Sequence, residues 1–226
     1  MRPMARRLLL VLLLAAALAP GATAATSPGA ELDKLVRAAG RGDAAAMWPL
    51  LSSGAQRRLG PLARFRRGTA VELSEGLGSF AHGSYRAAFS QLVDTRLAVA
   101  AIAGTRRAEG RREYAGYAAV MRLEHGRWRA DLLSPVKVEP LGPAQGGHVG
   151  PVMQAAAEVS APVAISDGAI WVDGRAIAGK SGGIDPEHVT FYGQPFRPLA
   201  RGRHVAIAFA RAGSQAGAVA WTFSVS

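Results

Sequence analysis

The stretch YRAAFSQLVDTRLAVAAIA at residues 85–103 decides how this chain folds, because its hydrophobic period changes there. Residues 85–93 alternate at period 2. Tyr85, Phe89 and Val93 fall on one face and Arg86 and Ser90 on the other, as in a half-buried strand. Residues 97–103 form a more uniformly apolar strand.

Before this stretch the period is helical. Leu32, Leu35, Val36 and Ala39 recur at i, i+3, i+4 and i+7, with Asp33, Lys34 and Arg37 on the other face. Gly40-Arg41-Gly42 stops that helix. Asp43 is placed to cap a second one, its carboxylate accepting the free amide hydrogens of the first turn. The second helix carries Met47, Trp48, Leu50 and Leu51, with Pro49 as a kink. A basic stretch follows, with Arg57, Arg58, Arg64, Arg66 and Arg67 interrupted by Gly60-Pro61. Residues 69–77 form a third, weaker helix.

After the stretch, residues 105–112 are charged and turn-like, 114–123 form a strand, His125-Gly126 turns, and 127–133 return with Trp128 inward. Helices followed by an antiparallel meander predict an α+β unit. Residues 141–150 have the Gly/Pro content of a linker. Strands are expected at 163–165, 169–172, 189–192, 203–211 and 218–225. Asp173-Gly174 is a hairpin turn, and 212–217 turn between the last two strands. Short strands with Gly-rich turns predict a small β-sandwich over 151–226.

The first 25 residues read as a signal peptide: Arg2, Arg6 and Arg7, an apolar run at 8–19, and the small-residue site Ala22-Thr23-Ala24-Ala25. The run is too short to span a bilayer comfortably, and no later stretch approaches 18 apolar residues. Arg6-Arg7 faintly resembles a twin-arginine signal, but the flanking residues favour the general export route. The expectation is an exported protein, secreted or associated with the cell envelope, with no mature transmembrane helix. Cysteine is absent, which excludes disulfides, thiolate metal sites, a cysteine nucleophile and a lipoprotein anchor.

The net charge of +11 is concentrated early. Residues 26–143 carry 18 basic and 11 acidic groups, whereas 144–226 carry 6 and 5. Nearly all the cations are arginines. Their excess fits either a GC-rich coding bias or attraction to anionic envelope polymers, lipid headgroups or another exported protein. Export argues against intracellular nucleic acid. The basic stretch, interleaved with Leu59, Leu62 and Phe65, makes Arg57, Arg58, Arg64, Arg66 and Arg67 the candidate anion-binding set.

Two segments resemble known families. Residues 29–140 resemble the nuclear-transport-factor-2-like superfamily. The resemblance rests on Ala38-Ala39-Gly40-Arg41-Gly42-Asp43, Met47-Trp48-Pro49-Leu50-Leu51-Ser52 and Gly126-Arg127-Trp128-Arg129-Ala130-Asp131-Leu132. It implies an α+β cone, with N-terminal helices packed on an antiparallel sheet. In enzymes of that fold an acid, His or Tyr inside the cone handles protons. His82, Gln91, Glu113 and Tyr114 are within that scope, and Asp94, Tyr85 and Tyr117 are the catalytic candidates it implies. Residues 150–226 look like a bacterial immunoglobulin-like domain, on Trp171-Val172-Asp173-Gly174, the segment 198–207, and Ala220-Trp221-Thr222-Phe223-Ser224-Val225. That resemblance implies an all-β immunoglobulin-like sandwich.

Other motifs dissolve in context. Residues 174–181 match the phosphate-binding P-loop pattern, and 179–183 match Gly-x-Ser-x-Gly. Both motifs demand a strand-turn-helix setting, and Gly182-Gly183-Ile184-Asp185-Pro186 opens no helix. They read as a β-connection. The five histidines are scattered, so no metal and no cofactor is expected. The expected function is that of an exported, non-enzymatic binding or cell-envelope accessory protein. The alternative is a small-molecule enzyme of the ketosteroid-isomerase or polyketide-cyclase type using a pocket acid.

Overall fold

Ser27 and Pro28 open the first helix. The Ser27 hydroxyl accepts the Ala30 amide at 3.2 Å, and Pro28 sits where no backbone donor is needed. The protein is described here by a computed structural model covering residues 26–108 and 110–226. The export signal read at 1–25 lies outside these residues. Helix α1 (Pro28–Gly40) buries Leu32, Leu35, Val36 and Ala39, as its period requires. Asp43 caps α2 (Ala44–Met47) by accepting the Ala46 amide at 2.9 Å. Pro49 does not kink a continuing helix. The chain tightens into a 3₁₀ turn at Trp48–Leu50 and leaves. Short helices α3 (Ser53–Leu59), α4 (Leu62–Arg67) and α5 (Thr69–Glu75) follow, then a 3₁₀ turn at Leu77–Phe80.

The rest is strand. The order is β1 (Ser84–Leu92), β2 (Leu97–Ala108), β3 (Arg111–Glu124), β4 (Arg127–Ala130), β5 (Lys137–Gly142), β6 (Gly147–Val149) and β7 (Ala155–Ser160). It continues with β8 (Ile165–Val172), β9 (Arg175–Ala176), β10 (Ala178–Asp185), β11 (His188–Gln194), β12 (Gly202–Ala212) and β13 (Gln215–Val225). Three sheets result, in the orders β1-β2-β3-β4, β6-β13-β12-β8-β9 and β10-β11-β7-β5.

The sheets stack. On β2, Ala98, Ala100 and Ile102 face a core shared with the helices, while Leu97, Val99, Ala101 and Ala103 face Trp171, Val205, Ile207 and Phe209 of the central sheet, β6-β13-β12-β8-β9. That central sheet turns its other face, with Ala206, Ala208, Trp221 and Phe223, onto β7. The layers therefore run helices, first sheet, central sheet, outer sheet. Small residues let the first two sheets approach closely: a Cβ on Gly116 would lie 3.1 Å from the Ala220 Cβ.

This layering overturns the expected pairing of an α+β cone with an immunoglobulin-like sandwich. About half of the described residues are strand and about a fifth helix, so the fold is mostly β. The helices cover one face of the first sheet only. Its other face is filled by β8, β12 and β13, because β2 is apolar on both sides and both sides must leave water. Residues 141–150 carry the end of β5 and all of β6, which pairs in parallel with β13. Residues 105–112 are not an extended turn, since β2 runs to Ala108 and β3 begins at Arg111. Tyr85 and Phe89 do not share a face. A bulge between Ala87 and Phe89 shifts the register, sending Tyr85 to the helix side and Phe89 to the central sheet. The sequence does not announce β5, β6 or β7, and β10 forms within the segment that reads as a β-connection.

The turns followed their chemistry. His125 (φ 50°) with Gly126 (φ 75°), and Asp173 (φ 49°) with Gly174 (φ 78°), adopt the left-handed pairs of tight hairpins. The P-loop-like segment lies across β9 and β10, paired with β8 and β11 respectively.

Candidate functional site

The basic stretch is built on two short amphipathic helices. Leu59 of α3 and Phe65 of α4 sink into the helix-side core, and Phe65 packs against the Trp48 ring at 5.2 Å between centroids. Anchored there, the helices hold Arg57, Arg64, Arg66 and Arg67 exposed. Ser52 caps α3, accepting the Ala55 amide at 3.0 Å, and its own hydroxyl donates to Asp131 at 2.9 Å.

Arg58, the remaining member of the set, does something else. It turns inward and forms an ion pair with Asp131, just beyond β4, while Arg122 of β3 takes the other carboxylate oxygen. Arg58 also donates to the Leu132 carbonyl at 2.7 Å, and Arg122 donates to the Ser214 carbonyl at 2.7 Å. The Asp131 side chain is only 1% exposed. Burial alone raises its carboxyl pKa. The hydrogen bonds and charges of Arg122 and Arg58 outweigh this and hold it below the ordinary carboxylate range. The clamp ties α3, β3 and the β12–β13 turn together.

Beside it opens a cleft of about 540 Å³, lined among others by Ser53, Arg57, Arg58, Glu124 and Gln215. Glu124 accepts from the Ser53 amide at 3.0 Å and hydroxyl at 2.9 Å. The cleft thus presents both signs of charge, with its carboxylates already engaged. Arg122, Asp131 and Gln215 were not singled out from sequence. Asp131 follows directly on β4, whose Arg127 and Arg129 already make the segment charged, so its sequence position names no partner.

The three catalytic candidates do not converge. Asp94 lies exposed in the β1–β2 turn, accepting the Arg96 amide at 2.8 Å and Arg211 at 2.9 Å. Arg211 also reaches Asp167 at 3.4 Å. Tyr85 faces the helices and donates its hydroxyl to Asp33 at 2.6 Å, whose other oxygen accepts from Arg37 at 2.8 Å. Burial first, then the Asp33 hydrogen bond and charge, push the Tyr85 hydroxyl up to about 12. Tyr117 is two strands away on the same face, and burial pushes it up to about 12 as well. A phenol held neutral in this way is a poor base at ordinary pH.

Two further polar arrangements are structural in character. His204 is buried, with Nδ1 2.6 Å from Asp173 and Nε2 2.8 Å from the Ala200 carbonyl. Gln145 joins Thr222 and the Tyr114 carbonyl, fixing the segment between β5 and β6 against the central sheet. Among the described residues, no helix is long and apolar enough to cross a membrane, and no group of three or more His, Cys, Asp or Glu side chains is placed to hold a metal ion.

No family model and no curated protein matches the chain. Among solved structures, it is similar to the endo-β-1,4-mannanase from Thermotoga petrophila, at 10% identity over 42% of this chain and 20% of that one, with a TM-score of 0.35. It is also similar to dimeric latent PorU from Porphyromonas gingivalis, at 16% identity over 64% and 19%, with a TM-score of 0.34. An engineered protein matches at 14% identity over 43% and 21%, with a TM-score of 0.31. The chain spans about a fifth of the length of these structures. Likeness at this level carries no argument about activity.

Proposed function

We propose that this is an exported binding protein whose ligand is an anionic envelope polymer. The observation that supports this reading is the placement of Arg57, Arg64, Arg66 and Arg67. All four stay exposed on α3 and α4 while Leu59 and Phe65 anchor those helices in the core. A polymer with a carboxylate on every repeat can meet several guanidinium groups at once, and each contact releases counterions. The leader read at 1–25 supplies the compartment in which such a polymer is met.

The test is binding of the purified protein to polygalacturonate over a range of salt. Affinity is expected to fall steeply as salt rises. The R57Q/R64Q/R66Q/R67Q variant should lose roughly tenfold or more, since each cation near an anionic surface is worth about 1 kcal/mol. Salt-independent binding, or a variant that binds like the natural protein, rejects the reading. Binding to phosphatidylglycerol vesicles but not to the polymer would replace the polymer with a lipid surface.

A further inference from the structure

The ends of β2 and β3, with the segment leading into β1, form a second cleft of about 480 Å³, lined by His82, Ser84, Thr105, Arg106, Arg107 and Arg112. It is separate from the clamp cleft. Arg112 and Arg122 are ten residues apart on β3, which places them roughly 33 Å from one another along the strand.

The cleft gathers three arginines, of which Arg107 and Arg112 are exposed to solvent. Arg107 and Arg112 stand directly opposite each other in the antiparallel register, a placement that brings Cα atoms to about 4.5–5.5 Å. Like charges so placed repel. The adjacent acid in register, Glu113, is taken by Arg106, whose Nε and Nη2 both lie 2.6 Å from Glu113 Oε1. The Arg106 guanidinium also lies 5.6 Å over the Phe80 ring. It is therefore held from two sides before any ligand arrives.

The local backbone is built for close approach. A Cβ on Gly83 would fall 1.8 Å from the Thr105 carbonyl oxygen, so only glycine lets the chain enter β1 pressed against β2. That entry places Ser84 opposite Thr105 and adds two hydroxyl donors beside the arginines.

We propose that this cleft binds a tetrahedral oxyanion of the phosphate or sulfate class, free or carried on a larger molecule. The planar forks of Arg107 and Arg112 would bridge the anion, turning their repulsion into a shared attraction. A volume of about 480 Å³ leaves room for more than the anion itself. This site is independent of the arginine face on α3 and α4.

The purified protein is titrated at low salt with inorganic phosphate and, separately, with polyphosphate, followed by calorimetry and by thermal stability. Saturable binding is expected, with a matching rise in Tm. R107Q/R112Q should weaken it at least tenfold, while R57Q/R64Q/R66Q/R67Q leaves the response to inorganic phosphate unchanged. Binding of inorganic phosphate identifies a free anion. Binding of polyphosphate alone, lost in R107Q/R112Q, identifies a polymer-borne one. Without any anion, Arg112→Glu should raise Tm, because it replaces the repelling pair with an attracting one. Absence of saturable binding by either probe, wild-type binding by R107Q/R112Q, or a lower Tm for Arg112→Glu would overturn the proposal.

Discussion

The Asp131 clamp and the Asp94 bridge use the same chemistry at the same end of the stack, and differ in how much water reaches them. Both join the first sheet to the central one: Arg122 reaches the Ser214 carbonyl, and Asp94 meets Arg211. Leu97, which follows the Asp94 turn, is paired in register with Arg122, so the two clusters are close in the fold. Yet the Asp131 side chain is 1% exposed and that of Asp94 is 42% exposed. A buried carboxylate between two guanidinium groups cannot be removed without stranding charge, whereas an exposed one is replaced by water and salt. Burial, and not the pairing itself, separates a structural clamp from a surface contact. The same contrast divides neighbours: Arg58 serves the clamp, and Arg57 stays on the surface.

Several substitutions sharpen or break this contrast. The largest effect is expected from Phe209→Ala, which empties the core shared by the first and central sheets. It should cost about 3–5 kcal/mol in denaturant unfolding, with helix and sheet signals lost in one transition. Two well-separated transitions would show that the sheets unfold independently.

Asp131→Asn comes next. It keeps the Ser52 hydrogen bond but leaves Arg58 and Arg122 without a counter-charge. The expected loss lies at the lower end of roughly 3–5 kcal/mol, because those arginine side chains remain 26% and 27% exposed. A loss below about 1 kcal/mol would place the clamp with ordinary surface pairs.

The same residue sets a pH dependence. Its carboxyl is depressed in the fold, so its contribution is fully present above the ordinary carboxylate value. It disappears as pH falls through the lower, folded value. Acid unfolding of the natural protein should therefore contain a component absent from Asp131→Asn. Superimposable stability profiles below pH 4 would contradict this.

The smallest effect belongs to Asp94→Asn. Measured by the same unfolding curves, it should change stability by no more than about 1 kcal/mol and by less in high salt. A larger loss would mean that the bridge is a structural tie like the clamp.

Much of the local structure was legible in the residues. Leu32, Leu35, Val36 and Ala39 marked α1, Asp43 marked a cap, and His125-Gly126 and Asp173-Gly174 marked hairpins. Each of these signals rests on interactions within a few residues of chain. The arginine set was legible as a group, but not the withdrawal of Arg58, since Asp131 lies 73 positions away. The facing of Phe89 is not legible in the sequence, because a single-residue bulge reverses a period of 2 without altering composition.

The sequence by itself determined the periods, the caps, the turns and the early concentration of positive charge, all of which follow from local backbone and side-chain preferences. The tertiary structure alone decided that the first sheet shares a core with the central one, that Asp131 gathers Arg58 and Arg122, and that Arg107 faces Arg112. An apolar strand face reports that it must be covered and does not specify by what. A charged side chain likewise does not name its partner. Both are settled only when distant segments are brought together and water leaves between them.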